Sequence, residues 1–294
     1  MADLREVLDE DADAIAALFL EAWGESRRMD GDEIRGWLSN EAIRPENMRV
    51  LVADGAVVGY VDIWIEPPAM DVDAAAPGRW DEVYTWAEER ARVQGLERVR
   101  TFFVEGHELE RLVAARDYRA IRASYTMEIE LDDAPPAAPA PGGGIEIRAY
   151  RPGVDEQATY EAQEESFEDH WDHHSQSIET WREFSIKQAN FDPSLWFLAW
   201  DGDEVAGFAH TFPERSGDPG YGWVGVLGVR RPWRRCGLGE ALLRHSFRAL
   251  HGRGRRRVRL SVDAASPTGA TRLYERAGMR VIRQSNVWEL TLPS

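Results

Sequence analysis

Cysteine and lysine are nearly absent from this chain of 294 residues, which contains only Cys236 and Lys187. A single cysteine excludes an intramolecular disulfide and a Cys-X-X-Cys metal site. No apolar run approaches the ~18 residues of a membrane-spanning helix, and the amino terminus lacks a basic start followed by an apolar stretch. These absences favour a soluble, cytoplasmic protein.

Positive charge is also scarce. Lysine and arginine total 35 against 52 aspartates and glutamates, which gives a net charge of −17. A basic face is what nucleic acids and anionic membranes attract, so neither is expected as a partner. The hydrophobic fraction of 43% and the 12 tryptophans are enough for a sizeable core, and the length suits two domains.

The chain reads as a tandem repeat. Strand, Asp-Gly turn and strand occur at 50–65 and again at 197–212. A short helix leading into two alternating strands is predicted at 109–131 and again at 270–292. Each repeat is thus predicted to run strand, helices, hairpin, strand, helix, strand, helix and two strands.

The predicted fold class is therefore α/β (α+β), with two domains that each form a mixed sheet flanked by helices. The Pro-, Ala- and Gly-rich segment 132–144 is predicted to be an interdomain linker, because it suits neither helix nor strand. The predicted domains are residues 1–131 and 145–294.

The most distinctive stretch of the second half is a strand, a glycine turn, a helix and a strand. The β-rich run Trp223–Val229 is followed by a turn that contains Pro232, and helical periodicity extends from Gly237 to His251. The alternating run Arg257–Val262 predicts the next strand.

Two glycines stand where this helix begins. A helix amino terminus offers unpaired N–H groups and a positive dipole end, and an anion can reach them only where the backbone is bare. Gly237 and Gly239 therefore predict a phosphate-binding turn, to which Arg234 and Arg235 add positive charge. A tight turn that needs glycine for a positive φ is the alternative.

The surrounding motifs resemble those of the GNAT superfamily of CoA-dependent N-acyltransferases. The pattern R-x-x-G-x-G is followed, after the next strand, by A-x-x-L-Y-x-x-x-G at 270–278. The third glycine of G-x-G-x-x-G and the G-K-[ST] of a P-loop are both missing, so these nucleotide-binding motifs fit less well. The resemblance covers residues 145–294.

This resemblance implies a splayed sheet with acetyl-CoA as co-substrate and no metal. The pantetheine would pair with the backbone of Leu227 and Val229 like an added strand, and the pyrophosphate would bind the amides from Arg235 to Gly239. Tyr274 would lie near the CoA sulfur as a general acid, although a core tyrosine is the alternative. Leu227 would donate its amide to the oxyanion. The implied acetyl-CoA contacts are Leu227, Gly228, Val229, Arg234, Arg235, Cys236, Gly237, Leu238, Gly239, Ser266 and Tyr274, with Ser266 standing where the family often has asparagine.

The first half lacks these groups. When Val99 is aligned with Val258, the positions of Arg234, Gly237 and Gly239 are taken in the first half by Ala75, Gly78 and Trp80. In the later helix, Val113 stands opposite Tyr274 and Asp117 opposite Gly278. Residues 1–131 are therefore predicted to be a non-catalytic partner.

The tandem arrangement resembles that of mycothiol synthase-type GNAT proteins, although Trp223 stands where that type carries a glutamate.

The acceptor is expected to be a small amine. In GNAT folds the region of 164–181 lines the acceptor pocket, and here it is rich in acids and aromatics that suit a cationic amine. A solvated acidic helix face is the alternative. The spacing of His170, His173 and His174 does not suit zinc.

Direct transfer of the acetyl group requires no covalent relay, so Cys236 is predicted to be a bystander. His210 and Glu214 are candidate bases, with a core role as the alternative for His210. Two other functions stay open at this point: acetylation of a peptide or protein amino terminus, and a non-catalytic CoA-binding regulatory module.

Overall fold

The computed structural model describes residues 3–39, 44–132, 137–171, 173–188, 190–214, 220–266 and 268–293. It confirms the α/β (α+β) class, with a mixed sheet and helices in each of two compact units.

The two halves of the sequence contain matching series of elements. The strands of the first half are β1 (Asp3–Arg5), β2 (Met48–Ala53), β3 (Ala56–Glu66), β4 (Ala69–Ala75), β5 (Arg98–Val104) and β6 (Arg119–Glu130), and its helices are α1 (Ala12–Trp23), α2 (Gly31–Leu38), α3 (Trp80–Val93) and α4 (Leu109–Ala115). The strands of the second half are β7 (Glu146–Ala149), β8 (Trp196–Asp201), β9 (Glu204–Phe212), β10 (Gly222–Val229), β11 (Arg257–Asp263) and β12 (Arg280–Thr291), and its helices are α5 (Glu156–Phe167), α6 (Ile178–Phe184), α7 (Leu238–Gly252) and α8 (Ala270–Arg276).

Both predicted hairpins are confirmed. β2 pairs antiparallel with β3 across Asp54 and Gly55, and β8 pairs with β9 across Gly202 and Asp203. The backbones of Asp54 and Gly55 both have positive φ angles, of 51° and 81°. This geometry is typical of the two-residue turns that match the twist of a hairpin.

The prediction of two strands at the end of each repeat is wrong. β6 and β12 are single strands of 12 residues. Neither contains a glycine or proline at which the chain could turn, so the alternating pattern continues without interruption.

Each compact unit is completed by a strand from the other half of the sequence. Unit 1 combines Met1–Ala123 with Gln284–Ser294, and unit 2 contains Ser124–Arg215 and Pro219–Arg283. The strand order is β1-β2-β3-β4-β5-β12 in unit 1 and β6-β11-β10-β9-β8-β7 in unit 2. The β4–β5 and β10–β11 pairs are parallel.

The unit boundaries therefore differ from the predicted domains 1–131 and 145–294, because they cut through β6 and β12. Segment 132–144, of which 133–136 lie outside the described residues, connects the end of β6 to β7. Both of those ends belong to unit 2, so this segment is not the link between units that its composition suggested.

The sheet of unit 2 is covered on both faces. Phe197 and Ala199 of β8 pack with Leu238 and Leu242 of α7. Trp196 and Leu198, which alternate with these two residues along β8, pack on the opposite face with Trp181 of α6 and Ala162 of α5.

We expect residues 145–294, expressed alone, to aggregate or to melt without cooperativity. This fragment lacks Ser124–Glu130, which pair with β11 along seven residues. Co-expression with residues 1–144 supplies the missing strand and should restore a soluble complex, as judged by size-exclusion chromatography and calorimetry. A monodisperse, cooperatively melting fragment 145–294 would show that the exchanged strand is dispensable.

Candidate active site

β10 separates from β11 halfway along its length. The parallel pairing ends at Val224, which lies opposite Leu260, and Gly225 is the extra residue of a bulge in the pairing of β10 with β9. A β-carbon at Gly225 would lie 2.6 Å from Cε2 of Phe212, so this position requires glycine. Beyond the bulge, β9 is the strand that pairs with β10, and no strand among the described residues covers its other edge.

The open edge presents backbone groups of Leu227 and Val229. The amide of Arg230 donates to the carbonyl of Ala206 in β9 at 3.0 Å. Because backbone groups alternate along a strand, those of Leu227 and Val229 point to the opposite side. The Val229 carbonyl accepts from Nε of Arg234 at 3.0 Å. The Leu227 amide and carbonyl and the Val229 amide can therefore pair with an extended ligand.

The loop after β10 leads to a helix terminus that is rich in unused amides. Arg235 and Gly237 have left-handed φ angles of 64° and 86°, and α7 begins at Leu238. In the described part of the chain, no backbone acceptor pairs with the amides of 235–240. Together with the positive end of the α7 dipole, they form an anion-binding turn.

The two glycines of this turn have different surroundings. A β-carbon at Gly237 would meet nothing within 4 Å, so this residue is required for its left-handed backbone. At Gly239 a β-carbon would lie 3.2 Å from Cδ2 of Leu273 in α8. Gly239 therefore also lies close to α8, and its predicted role in anion access stays a prediction.

The side chains of the turn mainly hold it in shape. Arg234 donates to the carbonyls of Val229 and of Ser166, the latter at 3.2 Å. Cys236 is exposed, and its Sγ donates to the Trp233 carbonyl at 2.8 Å. Arg235 is exposed at the surface of the turn. Leu238 is buried.

Tyr274 is 6% exposed and belongs to the same apolar cluster as Leu227. Burial raises the pKa of its hydroxyl to about 12, so the group is protonated at neutral pH. Ser266 lies between β11 and α8, where its amide donates to Asp263 and its hydroxyl lies 3.0 Å from that of Thr268.

The two candidate bases are placed differently. His210 is 1% exposed, its ring stacks on Trp196 at 3.7 Å, and burial lowers its pKa to about 3. Its Nε2 has no hydrogen-bond partner among the described residues. Glu214 forms an ion pair with Arg255 at 3.5 Å and follows the end of β9 that lies opposite Trp223, away from Leu227. Neither side chain is shown to reach the open edge.

Acids at the end of α5 and just after it pair with arginines of the β10–α7 connection. Glu165 accepts from Nε of Arg230 at 2.6 Å, and Asp169 accepts from two nitrogens of Arg231. Sequence analysis assigned these acids to the acceptor side and missed the two arginines. The signal was present as opposite charge runs, E-E-S-F-E-D and R-R-P-W-R-R.

Unit 1 has lost the glycine loop by shortening. The connection from β4 to α3 has four residues, 76–79, whereas that from β10 to α7 has eight, 230–237. The strand ends place Ala75 opposite Val229, so the predicted match of Ala75 with Arg234 is wrong. Gly78 and Gly237 both have left-handed backbones, with φ angles of 70° and 86°, in agreement with their predicted match. Trp80 is the first residue of α3. Its buried indole donates to the carboxylate of Glu108.

The later part of the repeat aligns as predicted. Val113 and Tyr274 are each the fifth residue of their helices, α4 and α8. Asp117 and Gly278 follow those helices with left-handed φ angles of 67° and 98°. Unit 1 therefore has the helix but not the tyrosine.

The described residues show neither a cluster of metal-binding side chains nor a membrane-spanning helix. No group of three or more His, Cys, Asp or Glu side chains in these ranges could hold a metal ion. None of the helices they form has the length and apolar character needed to cross a bilayer.

We expect the stability of the protein to fall on acidification, with His210 contributing. Because its pKa is about 3 when folded and 6.5 otherwise, the unfolded chain binds this proton first, and the free energy of unfolding falls below pH 6.5 by up to about 1.4 kcal/mol per pH unit. Urea unfolding at pH 7 and pH 5 should show a smaller pH effect in His210→Phe, which keeps a ring beside Trp196. The same effect in both proteins would contradict this.

Three comparisons relate this chain to known proteins. The Acetyltransferase (GNAT) family matches residues 156–279. A GCN5-related N-acetyltransferase from Sphaerobacter thermophilus is 32% identical, with a TM-score of 0.77, over 99% of this chain and 95% of that one. A tandem GNAT protein from the clavulanic acid biosynthesis pathway has the same fold, with a TM-score of 0.74 at 17% identity.

Curated relatives have a common name. Mycothiol acetyltransferase of Catenulispora acidiphila is 36% identical over 170 residues, which are 57% of this chain and 53% of that protein. The match thus spans about half the length of this relative. Mycothiol acetyltransferase of Streptomyces bingchenggensis is 29% identical over 300 residues, 93% of this chain and 92% of that protein. The chain belongs to the GNAT family of acetyltransferases.

Proposed function

We propose that this protein transfers an acetyl group from acetyl-CoA to the amine of a small molecule. The observation that carries the proposal is the continuity of two features of unit 2. The open edge of β10 at Leu227 and Val229 runs directly into the turn whose amides, 235–240, have no backbone acceptor. A ligand with an extended amide chain and a pyrophosphate matches both features.

Acetyl-CoA would bind along this line. Its pyrophosphate would accept from the amides of the turn between Arg235 and Gly239, and its pantetheine amides would pair with Leu227 and Val229 like an added strand. Phe208 covers Gly228 closely, since a β-carbon there would lie 2.4 Å from its Cζ. In the alternation set by the bond from Arg230 to Ala206, the backbone groups of Gly228 point to β9, and the ligand would use its two neighbours.

The reaction is a direct displacement. The neutral amine attacks the thioester carbonyl, the new C–N bond forms, and the C–S bond breaks as the thiolate leaves. Binding both reactants in one cleft provides most of the acceleration. The Leu227 amide is the donor we assign to the developing oxyanion. Tyr274, protonated at neutral pH, donates to the departing sulfur.

The proton released by the amine would leave through water. None of the eight residues of β10 carries a titratable side chain. His210 is buried beside Trp196, and Glu214 lies toward the other end of the strand pair. We therefore assign neither residue as an essential base.

Unit 1 would serve as a non-catalytic partner. Its connection between β4 and α3 is four residues shorter than the turn of unit 2, and the indole of Trp80 is buried at the start of α3. The carboxylate of Glu108, bonded to that indole, would repel a phosphate. One acetyl-CoA per chain, in unit 2, is the expected stoichiometry.

The names of the curated relatives favour a small-molecule acceptor over a peptide. They act, by name, on a mycothiol-related compound, and this chain resembles them over its length. Much of the acidic charge near α5 pairs with Arg230 and Arg231, so attraction of a cationic amine rests on the remaining acids, such as Glu164.

We expect Gly237→Asp to abolish CoA binding without unfolding the protein. The carboxylate would occupy the anion site and repel the pyrophosphate, whereas the strain of a side chain at a φ of 86° should be similar in aspartate and asparagine variants. Gly237→Asn is the matched control, because asparagine tolerates a left-handed backbone without adding charge. Calorimetric titration with CoA measures both variants. Equal affinity in Gly237→Asp and the parent would place the pyrophosphate elsewhere.

We expect Tyr274→Phe to lower kcat by about 10²–10⁴-fold while CoA affinity changes little. The substitution keeps the buried ring and removes only the hydroxyl. Release of free thiol from acetyl-CoA with a panel of small amines is the measurement, and it also tests the proposed activity. If the parent releases thiol with an amine and the variant turns over within about threefold of it, well short of the general-acid range, the thiolate leaves unaided.

A further inference from the structure

Three arginines of the β10–α7 connection hold the end of α5. Each makes its contact with a different group on the last turn of α5 or on the turn after it. We call these contacts the arginine clamp. Its pairs are Arg230 with the Glu165 carboxylate, Arg231 with the Asp169 carboxylate, and Arg234 with the Ser166 carbonyl.

Arg230 is the most tightly fixed of the three. Its Nε donates to Glu165 at 2.6 Å, its Nη1 donates to the Val205 carbonyl at 3.2 Å, and its guanidinium lies 5.2 Å from the centre of the Trp233 ring. The Trp233 indole in turn donates to Asp201 at 2.8 Å. These contacts fix the chain at the point where it leaves β10.

The other two arginines extend the clamp along the turn. Arg231 binds Asp169 through two nitrogens, at 3.1 and 2.6 Å, a geometry stronger than that of a single contact. Arg234 joins the Ser166 carbonyl at the end of α5 to the Val229 carbonyl at the end of β10. The anion-binding turn begins at the next residue, Arg235.

The clamped end of α5 also borders the splayed half of β10. Phe167, the last residue of α5, lies 6.4 Å from Phe208, ring centre to ring centre. Phe208 covers Gly228, the neighbour of Leu227. A movement of the end of α5 would therefore reach the face of β10 beside the proposed site of reaction.

We propose that the arginine clamp couples acetyl-CoA binding at the turn to the position of the end of α5. Glu165 and Asp169 are the positioning residues of this coupling, and they act through Arg230 and Arg231. The proposal rests on the function proposed above. A pyrophosphate that orders the amides of 235–240 would, through the clamp, order the protein beside the acceptor before the acceptor binds.

The direction of the change in CoA affinity on neutralising Glu165 or Asp169 distinguishes a positioning role from simple electrostatics. Removing an acid near an anion site reduces repulsion, so neutralising Glu165 or Asp169 should strengthen CoA binding if charge alone matters. If these acids position the turn, the same neutralisation should weaken CoA binding. Because the chain has a net charge of −17, electrostatics alone would predict tighter CoA binding on removal of any acid in this region.

The test compares two double variants with equal charge. Glu165→Gln/Asp169→Asn removes the two clamp charges. Glu161→Gln/Glu179→Gln removes two acids of α5 and α6 that pair with Gln157 and Arg182, outside the turn. We expect the clamp variant to bind CoA about tenfold more weakly than the parent, or about 1.4 kcal/mol. The control should stay within about twofold of the parent or bind more tightly.

Amide hydrogen exchange provides a readout that loss of stability alone would not change. In the parent, CoA should slow exchange in 163–169, at the end of α5. This protection should be lost in the clamp variant at CoA concentrations that saturate both proteins. CoA binding by the parent without protection of 163–169, or equal affinities in the two double variants, would overturn the coupling. Failure of the parent to bind CoA would instead overturn the proposed function.

Discussion

The separation of β10 from β11 at Gly225 is the constraint on which the site depends. Two parallel strands normally saturate each other's backbone groups, and a regular ladder would leave nothing for a ligand to bind. The bulge ends the pairing at Val224 and leaves the backbone of Leu227 and Val229 facing outward. Neither reactive side chains nor a metal is needed to create this edge. Gly225, the extra residue of the bulge, lies against the ring of Phe212 at this point.

Local features of the site could be predicted from the sequence because their causes are local. A left-handed backbone at Gly237, a helix that begins at the next residue and a tyrosine at a fixed place in α8 all follow from short motifs. The closeness of Gly239 to Leu273 could not be predicted in the same way, because Leu273 is far away in the sequence.

The pairing partners of β6 and β12 could not be predicted from the sequence either, because they too depend on contacts between distant residues. The repeat was evident from the sequence, but β6 and β12 have alternating patterns that suit pairing in either unit. Which partner each strand takes depends on register and packing, and composition does not encode them directly. The Pro- and Gly-rich segment 132–144 suggested a boundary, yet it joins two strands of unit 2. The pairing of Arg230 and Arg231 with acids of the α5 region is likewise a long-range choice among many possible partners.

The strand exchange also limits how this pair of repeats can change over evolutionary time. Unit 1 lacks the long glycine turn, and no selection for that chemistry need act on it. Its last strand is different, because Ser124–Glu130 pair with β11 next to the motif helices of unit 2. A deletion of the first repeat would therefore remove the strand that pairs with β11 in unit 2. The first repeat can therefore accumulate substitutions in its binding surface. A change back to a single repeat would first require a replacement for the strand that pairs with β11.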